Sequence, residues 1–332
     1  MTTCAVHVGD AARTAAHLVA TARARGLPWD HMPLASTRTD WAGPVAGVQR
    51  AVLGATWLGR LAVAAQRHDV VHVHSATTVA HSRRAAPRYV LHCHGTDVRT
   101  TQYDPTLGPS VRRALAEAEA VLYSTPDLAE HVLPHREDAS YLPVPVSVDD
   151  LPQWSPDTAQ PRIVFASRWE AAKGLDGQLD TARRLVAALG ERAEVLGLDW
   201  GPGADAAREA GVKLVPRGGH TEFLAWLAGS TAVVGQAAGI LSASELEAMG
   251  TGAPLLLPTG LPLYAGLAGT PPPVVGGSPA AVAEAAMALA GGASHDPAVG
   301  RAWVRDEHGV EQAVDTVAAL YAAIVAERQA DR

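Results

Sequence analysis

Two short stretches of this chain combine residues suited to chemistry on a phosphorylated ligand. The first, "GILSASELEAMGTGAPLL" from Gly239 to Leu256, sets Glu245 and Glu247 in the opening turns of a predicted helix that runs to about Met249. Bare amides at a helix start attract phosphate, and the small residues Gly239, Ser242 and Ala243 let a ligand approach the backbone. Glu247, one turn in, is placed to accept hydrogen bonds from a ribose diol. Ser242 and Glu245 also satisfy the S-x-x-E capping box, a purely structural device. The second stretch, "SRWEAAKGLDG", puts Arg168 and Lys173 just after a predicted strand. Such a pair can neutralise a diphosphate, Arg as a planar fork and Lys as a point charge; either one alone reads equally well as a solvated surface cation.

The elements that must hold these residues alternate between β-branched runs and Ala-rich helical stretches, the pattern of βαβ units around a parallel sheet. Predicted strands cover Ala5–Val8, Val70–His74, Tyr89–His94 and Ala120–Ser124 in one series. A second series covers Arg162–Ser167, Ala193–Leu198, Val212–Pro216, Thr231–Gln236 and Ala253–Pro258. Prolines in the stretch from Pro143 to Pro161 deny it a continuous helix or central strand, so it reads as a linker. Val314, Val317, Leu320, Tyr321 and Ile324 are spaced for one buried face of a long C-terminal helix. The expected fold is therefore α/β, with two doubly wound domains meeting at a cleft. Ligands of open α/β sheets bind beyond the carboxyl ends of the strands.

Composition narrows the function. With 332 residues, a net charge of −7 and no run of Lys or Arg, the chain is not built to cling to nucleic acid or anionic lipid. Cys4 and Cys93 stand alone, without a C-x-x-C pair, which fits a reducing cytoplasm. Asp10, Arg13 and His17 break the apolar run that a leader would need, and no stretch is long and apolar enough to span a bilayer.

Three further patterns have competing explanations. The pairs His72/His74 and His92/His94 each share a strand face and could bind zinc, but no third ligand is evident in the sequence, so no metal is expected. "GPGADA" (Gly201 to Ala206) with Glu222 about twenty residues on matches a dinucleotide fingerprint and opens a dehydrogenase reading. Pro202 weakens it by removing an amide, as does its place in the second strand-helix step of its series. Gly9 permits close approach of a ligand after the first strand, while Asp10 is either a site residue or a helix cap.

Arg168 with Lys173-Gly174, followed by "SELEAMGTGAPLL", resembles the donor half of GT-B glycosyltransferases of family 4, retaining enzymes that use nucleotide-activated sugars. "DVVHVHS", "VLHCHGTDVR", "VLYSTPDL" and "YLPVPV" fall in the order that family shows. The resemblance covers nearly the whole chain. It implies two Rossmann-like domains facing across a cleft. The acceptor domain would be residues 1–148, joined by a returning C-terminal helix at 310–332, and the donor domain 160–309. It assigns the diphosphate to Arg168 and Lys173, the ribose to Glu247, the donor loop to Gln236, Gly239, Leu241, Ser242 and Ala243, and the base to the loop around Arg217. His94 would lie beside the donor sugar, with Asp97 nearby, and Gly9, Asp10 and Asp97 would face the acceptor. The family's first Glu of E-x7-E is replaced by Gly239, which leaves the sugar open. No resident cofactor is implied, since the nucleotide sugar is a substrate. The acceptor is expected to be a small molecule, as in natural-product tailoring. The absent Glu also suits a catalytically silent binder of nucleotide sugars.

Overall fold

Short runs of Val, Ile and Leu buried on both faces belong in parallel sheets covered by helices, and the computed structural model places them there. It describes residues 2–35, 44–267 and 269–331. The first sheet holds β1 (Ala5–Val8), β2 (Trp29–Met32), β3 (Val70–His74), β4 (Val90–Cys93), β5 (Ala120–Tyr123) and β6 (Ser140–Tyr141), in the order β2-β1-β3-β4-β5-β6. The second holds β7 (Arg162–Phe165), β8 (Glu194–Leu198), β9 (Lys213–Val215), β10 (Ala232–Val234), β11 (Leu255–Leu257) and β12 (Val275–Gly276), in the order β12-β11-β10-β7-β8-β9. Neighbouring strands in both run parallel. The strand order reverses beside β1 and β3 in one sheet and beside β7 and β10 in the other. These switch points are where doubly wound sheets take ligands.

Three strands were not expected from the sequence, β2, β6 and β12, and each lies at a sheet edge. Their sequences, WDHM, SY and VG, lack an apolar run because an edge strand has less to bury. The nine expected strands appear, each trimmed by no more than about two residues at an end.

The chain divides into two units, Met1–Pro145 with Val310–Arg332, and Val146–Gly309. Four helices matter below: α1 (Thr14–Ala24), α2 (Leu175–Leu189), α3 (Ala243–Thr251) and α4 (Val310–Ala330). The stretch expected as a linker is fastened to the second unit from Val146 onward. Val146 N–H donates to the His308 carbonyl at 2.8 Å, Trp154 N–H to the Thr251 carbonyl at 2.9 Å, and the Trp154 indole to the Ser230 carbonyl at 2.8 Å.

The C-terminal helix returns to the first unit, as expected. Val314, Val317, Tyr321 and Ile324 of α4 are buried in one cluster with Leu18, Val19 and Ala22 of α1 and with Ala5, Val70, Val90 and Leu122 of the sheet. Ion pairs Arg25–Asp315 and Arg328–Glu119 flank that seam. Tyr321 goes deepest: its hydroxyl lies 2.5 Å from His72 Nδ1 and 3.1 Å from His7 Nε2. Replacing it should therefore test both packing and polar pairing. Tyr321→Ala should cost about 3–5 kcal/mol of stability and Tyr321→Phe about 1–3 kcal/mol, measured by urea unfolding. A Tyr321→Phe variant as stable as the wild type would show that the hydroxyl contributes nothing.

Candidate functional site

In the second unit the candidate ligand residues gather at the carboxyl ends of β7 to β10. Arg168 lies three residues past β7, and Lys173 ends the short turn Ala171–Lys173 before α2. Gly174 then adopts φ +71°, and a Cβ there would meet the Ala237 carbonyl carbon and oxygen at 2.7 Å. That approach lets Ala237 N–H donate to the Lys173 carbonyl at 2.9 Å. The cation-bearing loop after β7 is thus zipped to the loop after β10 across the switch point.

The loop after β10 is held by one carboxylate. Glu245 is fully buried; its Oε1 accepts from Gln236 N–H at 3.0 Å, and its Oε2 accepts from Ser242 N–H at 3.0 Å and from the hydroxyls of Ser242 at 2.5 Å and Ser244 at 3.1 Å. Gln236 is also fully buried, and its side-chain amide donates to Ser242 Oγ at 3.1 Å. Leu241 is buried, with its amide donating to the Tyr264 hydroxyl at 3.0 Å. The structure therefore narrows the expected phosphate cradle. The amides of Leu241 and Ser242 are committed to the protein, and Gln236 is a brace for the loop. By helix geometry the amides of Ala243 and Ser244, at the head of α3, have no carbonyl behind them. Gly239, at φ +73°, stands clear of close neighbours, the nearest atom to a Cβ there being the Gly260 carbonyl oxygen at 3.7 Å.

Glu247 is buried, and its Oε1 pairs with His220 Nε2 at 2.7 Å. A ribose diol would have to share this carboxylate with an imidazole that lies 27 residues away in the chain and that no local pattern links to it. Trp200 is the other residue missed. It stands two residues past β8, with the Arg168 guanidinium carbon 5.1 Å and the Arg217 guanidinium carbon 4.4 Å from its ring centroid. A large aromatic at a predicted strand end was the available signal. Cation–π attraction gives the two arginines a common anchor, and Arg168 also pairs with Glu170 at 2.5 Å.

The dinucleotide lookalike resolves into packing. A Cβ on Gly201 would meet the Trp169 carbonyl oxygen at 2.5 Å, and one on Gly203 would meet the Leu175 side chain at 2.6 Å. These glycines make room for the protein's own chain. Glu222 accepts from Gly219 N–H at 2.8 Å, closing the first turn of its own helix.

In the first unit the candidates surround the β1/β3 switch point. Gly9, at φ +76°, donates to the Met32 carbonyl at 2.9 Å and accepts from His31 Nε2 at 3.1 Å. Asp10 Oδ1 accepts from Ala15 N–H at 3.0 Å in the first turn of α1, the capping alternative. Asp97 is 3% exposed, and its oxygens accept from the amides of Ala76 at 2.9 Å, Gly95 at 3.0 Å, Val98 at 3.1 Å and His94 at 3.2 Å. It fastens the loop that carries His94; an acceptor would have to compete with four backbone amides for it. Ala12, Arg13 and Ser75 adopt φ of 51°, 58° and 81°, so backbone strain collects in the loops after β1 and β3.

His94 ends a hydrogen-bonded chain. Its Nε2 lies 3.0 Å from His74 Nδ1, His74 Nε2 lies 3.0 Å from His7 Nδ1, and His7 continues to Tyr321 and His72. The sequence showed two histidine pairs; the fold makes one stripe of five. Burial pushes His7 down to about 3 and His94 down to about 4, and it lowers His72, His74 and His92 well below the ordinary imidazole value.

No protein-family model matches the chain, and no curated protein does. Solved structures do. The sucrose-phosphate synthase tll1590 of Thermosynechococcus elongatus superposes with a TM-score of 0.67 at 14% identity, covering 98% of this chain and all of the other. Anabaena Alr3699/HepE, solved with UDP and glucose, gives 0.65 at 11% identity, covering 97% and 100%. AviGT4, a glycosyltransferase of avilamycin A biosynthesis, gives 0.63 at 18% identity, covering 98% of each chain. The fold is that of the GT-B glycosyltransferases.

The histidine stripe has a measurable signature. A ring neutral in the folded state but protonated below pH 6.5 in the unfolded chain makes stability complete above 6.5 and lost as pH falls toward the folded value. At pH 5 each such ring should have cost about 2 kcal/mol relative to pH 7. Urea unfolding at the two pH values, followed by a probe in the first unit, should show the loss; a flat profile would contradict it.

Proposed function

We propose that this protein is a glycosyltransferase that moves a sugar from a nucleoside-diphosphate donor to a small-molecule acceptor with retention at the anomeric carbon. The observation that carries the reading lies at the β7/β10 switch point. Two cations on one loop are hydrogen-bonded, through Ala237 and Lys173, to the loop that opens α3. Glycosyl transfer must stabilise charge that grows on the diphosphate as the glycosidic bond stretches. Fixed cations and helix-start amides do this without reorganising at the moment of reaction.

In this reading Arg168, Lys173 and the Ala243 amide hold the diphosphate, Glu247 with His220 receives the ribose, and Arg217 stacked on Trp200 borders the base. Side-chain cations take the part of a divalent ion at the leaving group, and no resident cofactor is needed. No side chain here is assigned as a covalent nucleophile, so the acceptor attacks from the face the diphosphate leaves. The departing phosphate oxygen takes the acceptor's proton. UDP is the first nucleotide to try, because the HepE structure holds it. The part of AviGT4 in avilamycin A biosynthesis supports a natural-product acceptor. His94 remains the first-unit candidate for the donor sugar.

Gly239 favours a second reading, a silent binder of nucleotide sugars, since the position where the resemblance expects a carboxylate carries no side chain. Slow hydrolysis of a nucleotide sugar without acceptor separates the two, because a silent binder leaves the sugar attached.

Lys173→Ala and Arg168→Ala should each lower turnover about 100- to 1,000-fold with the circular dichroism spectrum unchanged. Near wild-type rates in both variants would remove the mechanism. Glu247→Ala should weaken nucleoside-diphosphate binding in calorimetry, and unchanged affinity would take the ribose away from that residue.

A further inference from the structure

One face of the first sheet carries five histidines. His7 on β1, His72 and His74 on β3, His92 on β4 and His94 just beyond it share that face because side chains two apart along a strand point the same way. Parallel register sets His7 beside His72 and His74 beside His92. Ring centroids are 5.4 Å apart for His74–His92, 5.2 Å for His74–His94 and 4.3 Å for His92–His94. Four of the five rings belong to the hydrogen-bonded chain through Tyr321. His92 does not: both its ring nitrogens are buried without a partner, and so is His94 Nδ1.

A neutral imidazole always carries one N–H, so His92 buries both an unpaired donor and an unpaired acceptor. Each is a desolvation cost that nothing offsets, and a leucine of similar volume would avoid both. One nitrogen from each of His74, His92 and His94 lies within 4.8 Å of the other two. We propose that His74, His92 and His94 form a three-imidazole site for a borderline divalent d-block ion, of the Zn2+, Co2+, Ni2+ or Cu2+ class.

The donor set selects that class, since imidazole suits these ions whereas Mg2+ and Ca2+ take oxygen. Bonds of about 2.0–2.1 Å around a tetrahedral ion put ligand nitrogens roughly 3.3 Å apart, so the 3.0 Å between His74 Nδ1 and His94 Nε2 need open only slightly. His92 is fully buried while His94 is only partly buried, so the ion enters past His94 and its fourth position faces that side. The inner trio of His7, His72 and His74 is equally close. Of its six nitrogens, however, only His72 Nε2 lacks a partner, against three of six in the outer trio, which makes the inner rings the outer shell. His74 Nε2 lies 3.0 Å from His7 Nδ1; with an ion on His74 Nδ1 the ring's one proton sits on Nε2 and donates to His7, orienting the ligand as such partners do. Asp97, fixed by the His94 and Gly95 amides, supplies the nearby negative charge.

The protons balance without loss. Ligation needs lone pairs on His74 Nδ1 and His94 Nε2, so the proton shared between them leaves that line. His74 keeps its proton on Nε2, donated to His7, and His94 carries its own on Nδ1. Every ring stays neutral.

The test uses the full chain, stripped with chelator and loaded with Co2+ alone, without nucleotide or sugar, so its outcome is separate from that of the transferase reading. The expected result is one Co2+ per chain with the intense visible bands of a tetrahedral site, and a raised Tm on adding Zn2+. His92→Leu removes a ligand that makes no hydrogen bond, so this variant should fold. It should weaken Co2+ binding by more than the roughly 10- to 100-fold that loss of an outer-shell partner costs. His135→Ala, at an exposed histidine, should change nothing. Weak octahedral spectra, or binding equal in wild type and His92→Leu, would overturn the site.

Discussion

Polar groups carried into a water-free sheet end must be satisfied by the protein itself, and this requirement organises both units. In the second unit Glu245 meets it. A buried carboxylate is tolerable only when its lone pairs are filled, and four donors from Gln236, Ser242 and Ser244 fill them. The result is a rigid turn at the head of α3. Because Gly174 lets Ala237 bond to Lys173, the same rigidity passes to the cations after β7. The positions of charge and of open amides are therefore set before any ligand arrives, which is what electrostatic preorganisation requires.

The first unit solves the same problem with rings in place of a carboxylate. A carboxylate fixes its partners by accepting from all of them, whereas each neutral imidazole must donate at one nitrogen and accept at the other. Along His94, His74, His7, Tyr321 and His72, choosing the tautomer of one ring chooses all of them. The helix that supplies Tyr321 arrives from more than two hundred residues away in sequence, so the polar order of the sheet depends on the return of α4. Strain at Ser75 and the fastening of its neighbour Ala76 by Asp97 hold the same strand ends from the other side.

Much of this was legible in the sequence, and the gaps have physical causes. Interior strands could be read because burial on both faces demands apolar runs; β2, β6 and β12 could not, because edges relax that demand. Val314, Val317, Tyr321 and Ile324 announced the buried face of α4 by spacing alone. Arg168, Lys173 and the α3 turn were readable because strand-loop-helix order places them at a sheet end. The pairing of Glu247 with His220 and the stacking of Arg217 on Trp200 were not, since each joins loops from different strands and local pattern is blind to that distance. The internal partners of Asp97 and Gln236 were hidden for a related reason. Sequence shows a polar residue at a strand end, but only packing shows that four backbone amides already hold Asp97 and that the Gln236 amide nitrogen already donates to Ser242 while its Oε1 stays unpaired.

The histidine stripe marks the same limit most sharply. Two H-x-H pairs along the chain offer ligands in twos, and two imidazoles do not make a closed zinc site. Parallel register then brings His74 beside His92, and the turn at Gly95, at φ 122°, keeps His94 over both. Tyr321 draws the inner rings into a hydrogen-bonded chain in which His72 Nε2 alone stays unpaired, and three further unpaired nitrogens, on His92 and His94, lie at its outer end. A sheet that needed only packing at β4 would gain from an apolar residue at position 92. The imidazole there is an unmet demand for a partner, and its two closest ring neighbours are themselves histidines.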